Sequence, residues 1–303
     1  MPSQAGSGPP AADGPAAPAP SWQHEPAVRA ALREHWDLQG ELRPLQAGDS
    51  RTWQAGGHVV KLARDERVHF NAGLRASEAV ERAGIVTGAP VRTRGGDLCV
   101  PLAPGRPPQV LAVLRRVDGS HLSMHAVAPA VMGELLGRLH RILRGCPAAG
   151  AWTPGDVLGH MTRGITAPQP PAVRQMITQA VSDVRAYYAA APPAQLLYGD
   201  GPGIFSVNGT DISAIIDWGG VRAGSTADDI GCWTAHGATD RNPLPAYTAA
   251  FLQGYRNGNS LPVQDAAAVP LLQRLRIASR ACYVTAPDTL ARVQSWMQRA
   301  FHE

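Results

Sequence analysis

The sequence predicts an α+β chain of two lobes: a small N-terminal lobe built on an antiparallel sheet with a helix, and a larger, mostly helical C-terminal lobe. Three observations predict it. From Leu42 to Val117 the apolar residues come in short, strand-like runs separated by Gly-rich turns. From Ala128 onward they recur at three- and four-residue spacing, the mark of amphipathic helices. The helical half is interrupted once, where two short apolar runs flank Asn208-Gly209, the strongest short-range hairpin signal a sequence offers.

Composition narrows the function. At 303 residues and 44% hydrophobic content, the chain is long enough for two lobes with real cores. A net charge of +4 with no run of five or six Lys or Arg argues against a nucleic-acid protein, yet leaves an anionic nucleotide welcome. Cys99, Cys146, Cys232 and Cys282 have neither disulfide-framework nor metal-site spacing, so they are expected as free thiols in a reducing compartment. No apolar stretch reaches about 20 residues, so no membrane span is expected. The first twenty residues are Pro- and Ala-rich with neither a basic n-region nor an apolar h-region, which predicts a mobile tail and a cytoplasmic protein. The expected division is a tail over 1–20, an N-lobe over 21–117 and a C-lobe over 118–303.

Each element has its own signal. Val28, Ala31, Leu32 and Trp36 predict a first helix over Glu25–Trp36. Leu42 to Ala63 turns twice, at 47–51 and 55–57, and carries the apolar strand His58 to Leu62 with Lys61 inside it. Phe70 to Ala83 reads as a helix stopped by Gly84. Pro90–Thr93, Leu98–Leu102 and Val110–Val117 read as strands completing a five-stranded antiparallel sheet. Leu135, Leu136, Leu139 and Leu143 lead a helix over Ala128–Arg144. Helices are expected over Val157–Ile165, Ala172–Ala190, Pro245–Tyr255, Ala266–Tyr283 and Thr289–Phe301.

The chemistry concentrates between Leu196 and Trp233. The hairpin built on Asn208-Gly209 carries Asp200 just before its first strand and Asp217 just after its second, so antiparallel pairing sets both carboxylates at one end. Such a pair suits Mg²⁺ and a hydroxyl nucleophile: one carboxylate ligates the metal while the other accepts a proton or orients the attacking oxygen.

The runs Gly199-Asp200 and Ile216-Asp217-Trp218 resemble the catalytic centre of the aminoglycoside phosphotransferase family, small-molecule kinases with the protein-kinase-like fold. The resemblance spans about residues 40 to 300 and implies ATP and Mg²⁺ as cofactors and a small-molecule hydroxyl as acceptor. On it, Asp200 matches the catalytic Asp and Asp217 the metal-binding Asp. The turn at Gly48 to Arg51, with Gly48 and Ser50, resembles the nucleotide loop, and Lys61 the strand lysine that holds phosphates. Glu78 is the candidate partner for Lys61, with Glu81 and Glu66 as rivals. The stretch Arg115 to Gly119, including Arg116, resembles the lobe connector whose backbone meets the adenine. Leu136-Gly137-Arg138-Leu139-His140 resembles a segment common in the family, which makes His140 a structural residue. Asp229 matches a residue that holds the catalytic loop through backbone contacts, with Ser225 or Thr226 capping the helix beyond.

Two positions depart from the family pattern. Tyr198 stands where the family has His, and the metal-ligating Asn falls on Phe205, or on Ile204 with one deletion. These departures give the alternative reading: a degenerate kinase-like fold that works as a binding module or runs a reaction other than phosphoryl transfer. The C-terminal third is also poor in carboxylates, which favours an acceptor other than an aminoglycoside, such as another antibiotic or a natural-product intermediate.

Overall fold

A computed structural model of the chain describes residues 25–45, 51–64, 67–103, 108–164, 170–190, 194–209, 211–239 and 241–283. Helix α1 (Glu25–Trp36) opens the N-terminal lobe with Val28, Ala31, Leu32 and Trp36 buried. Strands β1 (Arg43–Leu45), β2 (Arg51–Ala55) and β3 (His58–Arg64) form an antiparallel meander. Helix α2 (Arg67–Arg82) follows, and β4 (Pro90–Val91), β5 (Val100–Ala103) and β6 (Gln109–Arg115) complete the sheet in the order β1-β2-β3-β6-β4, with β5 also paired to β6. The sheet thus has six strands where five were expected, because the run from Leu42 to Ala63 turns twice and so holds three strands.

Strand period places Lys61. Val60 and Leu62 pack against Val28, Leu32 and Trp36 of α1, whereas Ala63, two residues from Lys61, packs with Phe70 and Leu74 of α2. Because side chains alternate along a strand, Lys61 lies on the α2 face. Helix α2 serves both lobes: Phe70 and Leu74 join the sheet core, while Ala72, Ala76 and Val80 join the large C-terminal core.

The C-terminal lobe begins with β7 (Ser120–His121), followed by α3 (Pro129–Leu143), α4 (Pro154–Gly164) and α5 (Pro171–Ala189). Four short strands come next, β8 (Gln195–Leu197), β9 (Gly203–Ser206), β10 (Ala214–Ile216) and β11 (Arg222–Gly224), and then α6 (Thr226–Gly237), α7 (Leu244–Gly258) and α8 (Val263–Tyr283). Glycines four apart on α3 and α7 set their packing: a Cβ on Gly133 would strike the Phe251 carbonyl, and one on Gly254 the Ala130 carbonyl. With no side chains between them the two backbones touch, a close approach that helical periodicity alone does not reveal. The expected helix over 289–301 and the first twenty residues lie outside the described residues. Among the described residues no helix is long and apolar enough to cross a membrane.

Candidate active site

Strands β9 and β10 pair antiparallel with Ala214 opposite Phe205 and Ile216 opposite Gly203, so Asp200 and Asp217 flank the same end of the hairpin. Strand β7 adds a third strand by pairing Ser120 with Ser206 and His121 with Phe205. The segment from Arg115 to Gly119 therefore leads straight into this hairpin sheet. Gly119, at φ 109°, allows this: a Cβ there would run into the Ser206 carbonyl.

Asp217 holds the left-handed backbone region at φ 68°, ψ 66°, a conformation costing an L-residue about 1–2 kcal/mol. The carboxylate stays 63% exposed, and Lys61 Nζ donates to its Oδ1 at 2.6 Å. Helix α2 is laid directly on the following turn, Trp218–Gly220, because a Cβ at Gly73 would occupy the Trp218 carbonyl. Asp200 is exposed on the facing loop; its Oδ1 accepts from the Gly201 N–H at 2.7 Å and its carbonyl accepts from Trp233 Nε1 at 2.9 Å.

The loop bearing Asp200 is fixed from several sides. Asp229, fully buried, accepts from the Tyr198 N–H through Oδ2 at 2.8 Å and from the Gly199 N–H through Oδ1 at 2.9 Å. His140 Nε2 meets Oδ2 of the same carboxylate at 3.0 Å, and His140 Nδ1 meets the Tyr255 hydroxyl at 2.8 Å. From the other direction Arg276 Nη2 donates to the Gly199 carbonyl at 3.1 Å. Arg222 Nη2 donates to Asp228 Oδ1 at 3.0 Å; burial raises the Asp228 carboxyl above the usual carboxylate range while the guanidinium draws it down. Ser225 caps α6 by accepting from the Ala227 N–H, as its position before the helix requires.

Gly199 sits at φ 91°, and a Cβ there would collide with the Gly220 carbonyl on the loop after Asp217. Gly199→Ala is therefore expected to cost at least about 2 kcal/mol in urea unfolding, from left-handed strain plus the backbone clash. It should also push the loops of Asp200 and Asp217 apart.

Tyr198 is 0% exposed. Its hydroxyl donates to the Ile216 carbonyl at 2.6 Å and accepts from the Gly203 N–H at 3.1 Å. Its ring stands edge-on to Trp218 and Trp233, with centroids 5.1 and 5.8 Å away. Burial pushes the phenol well above its ordinary pKa, and the charges of Asp217, Asp200 and Asp229 push the same way, so it remains a donor.

Several expected site residues have other partners. Glu78 accepts from Arg92 Nη2 at 2.7 Å, not from Lys61. Its rival Glu81 accepts from the N–H groups of Thr87 and Ala89 and from Arg115. The reason is helical phase: Glu78 lies about 140° around α2 from Gly73, the residue that docks on the Asp217 turn. Lys61 is left to Asp217. Glu66, Gly48 and Ser50 lie outside the described residues. The Arg116 N–H, expected in the connector, donates to the Gly57 carbonyl at 3.0 Å.

The positions expected to carry the second metal ligand cannot do so. Ile204 is fully buried, and the Phe205 ring stands edge-on to His121 at 6.0 Å. Among the described residues no group of three or more His, Cys, Asp or Glu could hold a metal by itself. One exposed carboxylate, Asp217, fits Mg²⁺ that arrives with a nucleotide, because Mg²⁺ commonly takes one or two protein carboxylates and completes its shell with phosphate oxygens and water. His236 was missed in the sequence: half-buried on α6, its ring lies 3.1 Å from where a Cβ of Gly201 would stand, beside Asp200. A His three residues after the tryptophan of a predicted helix gave no signal for that. A cavity of about 500 Å³ lined by Val86, Val131, Glu134, Arg138 and Asp211 includes neither Lys61, Asp200 nor Asp217.

A family model described as the phosphotransferase enzyme family matches residues 41–264. Among curated proteins no sequence matches the chain. Solved structures share its fold across nearly the whole length. A microcompartment-associated aminopropanol kinase is 18% identical, with 91% of this chain and 95% of that one covered at a TM-score of 0.71. The amicoumacin kinase hAmiN, solved with AMP-PNP, Ca²⁺ and Ami, is 14% identical, with 91% and 93% covered at 0.68. Spectinomycin phosphotransferase APH(9)-Ia, solved with ADP and spectinomycin, is 12% identical, with 90% and 93% covered at 0.56. The fold is accordingly α+β and two-lobed, of the protein-kinase-like kind.

Proposed function

Because the chain belongs to the phosphotransferase enzyme family, we propose that it transfers the γ-phosphoryl group of ATP, bound with Mg²⁺, to a hydroxyl of a small molecule. The observation that carries this reading is the meeting of three groups: Asp200 and Asp217 at one end of the β9–β10 hairpin, and the Lys61 ammonium 2.6 Å from Asp217. Asp200 accepts the proton of the acceptor hydroxyl as its oxygen bonds to the γ-phosphorus. The bond from that phosphorus to the β–γ bridging oxygen breaks, and ADP leaves with the electron pair. Lys61 binds phosphate oxygens, and Asp217 holds the metal. Bound Mg²⁺ would supply positive charge where the phosphates build up negative charge.

The Lys61–Asp217 pair also supports a binding order. Lys61 Nζ donates to Oδ1 of the Asp217 carboxylate, so phosphates that draw the ammonium away free a second oxygen for the metal, and nucleotide and Mg²⁺ bind in synergy. The described carboxylates favour an acceptor other than a polycation. Of the carboxylates after Asp217 that are described, Asp228 is bonded to Arg222 and Tyr188, Asp229 holds the loop, and Asp265 is buried against Thr226. None is left to line an acidic pocket of the kind a polyamine antibiotic needs.

Calorimetric titration with AMP-PNP, with and without Mg²⁺, tests the reading. Micromolar binding that requires Mg²⁺ is expected in the wild type. Asp217→Ala should lose the Mg²⁺ dependence, and Lys61→Ala should weaken nucleotide binding by about 10- to 100-fold, as loss of a charge-assisted contact does. No binding with or without Mg²⁺ would sink phosphoryl transfer and leave a nucleotide-free binding module.

A further inference from the structure

We propose that Tyr198 is a positioning residue whose hydroxyl ties the loop of Asp200 to the strand end of Asp217. The proposal rests on the phosphotransfer reading for its kinetic consequence alone; the tie itself is structural. The residue at 198 sits on the backbone that Asp229 anchors, two positions before Asp200. Its phenol crosses to the last rung of the hairpin, where Ile216 faces Gly203, and bonds to both backbones of that rung. Ile216 immediately precedes Asp217, and Gly203 lies three residues after Asp200. One hydroxyl thus fixes the exit of one carboxylate loop and the entry of the other.

The geometry requires this residue type. The group must act as donor and acceptor at a single atom, since it gives a proton to a carbonyl and takes one from an N–H. It must reach that rung from the residue after strand β8, and the buried six-membered ring, edge-on to Trp218 and Trp233, supplies the reach. A hydroxyl on a fully buried side chain with both roles satisfied is worth more than an exposed one, because the low local dielectric strengthens its bonds. Tyr198, which in the sequence marks a departure from the family pattern, therefore works in favour of activity: it holds the two aspartates at a fixed spacing.

Tyr198→Phe removes the hydroxyl and leaves the ring. Tyr247→Phe is the matched comparison: Tyr247 is also buried, but its hydroxyl has no hydrogen-bond partner among the described residues. Hydrogen–deuterium exchange on the full chain is the readout that does not depend on catalysis. In Tyr198→Phe, amides over 200–203 and 217–220 should exchange about tenfold faster, the change that loss of one buried hydrogen bond brings, while α3 and α7 keep their protection. Tyr247→Phe should leave exchange at both loops unchanged. In a transfer assay Tyr198→Phe should lower kcat about tenfold or more with nucleotide KM within about twofold, the split expected when reacting groups are misaligned but binding is kept. Unchanged exchange at both loops in Tyr198→Phe would overturn the proposal, as would acceleration spread evenly over the C-terminal lobe. A wild type without transfer activity but with the local exchange change would instead remove the phosphotransfer reading and leave the tie standing.

Discussion

Asp200→Asn is expected to lower kcat for transfer to an acceptor hydroxyl by about 10²–10⁴-fold, the range general-base catalysis contributes. The substitution is close to isosteric, and the native carboxylate makes one local contact through Oδ1, to the Gly201 N–H, which an amide oxygen also accepts. The side chain is exposed, so stability should change little. What the amide cannot do is take the hydroxyl proton. The affinity for AMP-PNP and Mg²⁺ should stay within about twofold of wild type, since the proposed function gives that ligand to the paired Lys61 and Asp217, and this separates Asp200 from Asp217. Steady-state kinetics beside calorimetry reads both quantities. An unchanged kcat would assign proton removal to another group, and His236, whose ring lies against Gly201, is the nearest described candidate on α6.

The residues that were legible in the sequence are those whose signal is local. Asn208-Gly209 fixed the hairpin, the hairpin fixed the common end of Asp200 and Asp217, and strand alternation put Lys61 on the opposite face from Val60 and Leu62. The expectation for Glu78 failed because a helix's periodicity says which residues share a face and not which face meets the cleft. Here that choice is made by Gly73 against Trp218 and by Arg92 on the strand side. The role of Tyr198 was hidden for a related reason: its partners are backbone groups at Gly203 and Ile216, which any sequence carries. A departure from a motif reads as loss until the atoms it touches are known. The α3–α7 contact shows the same limit, since the Gly133 and Gly254 positions gain meaning only when both helices are in place.

Asp229→Ala is expected to destabilise the protein by about 3–5 kcal/mol, the cost of breaking a buried charge network on one side. The carboxylate serves three donors, the Tyr198 and Gly199 N–H groups and His140 Nε2, and lies 3.9 Å from the Arg222 guanidinium, all with no access to water. Its removal orphans two backbone N–H groups in the segment that leads to Asp200, each at a desolvation cost of about 1–3 kcal/mol. Some of that cost is recovered as the loop relaxes, which keeps the total below the sum. Asp229→Asn should not rescue the loss, because an amide presents N–H groups to neighbours that are themselves donors, whereas a carboxylate accepts from every side. Thermal unfolding should fall by roughly 5–15 °C for the alanine variant and nearly as far for the asparagine variant. A near-normal asparagine variant would mean that geometry and not acceptor count sets the anchor, and the three donors would then need another partner. If the loss is as expected, transfer activity should fall further than folding alone accounts for, since the loop set free carries Asp200 and the Tyr198 tie together.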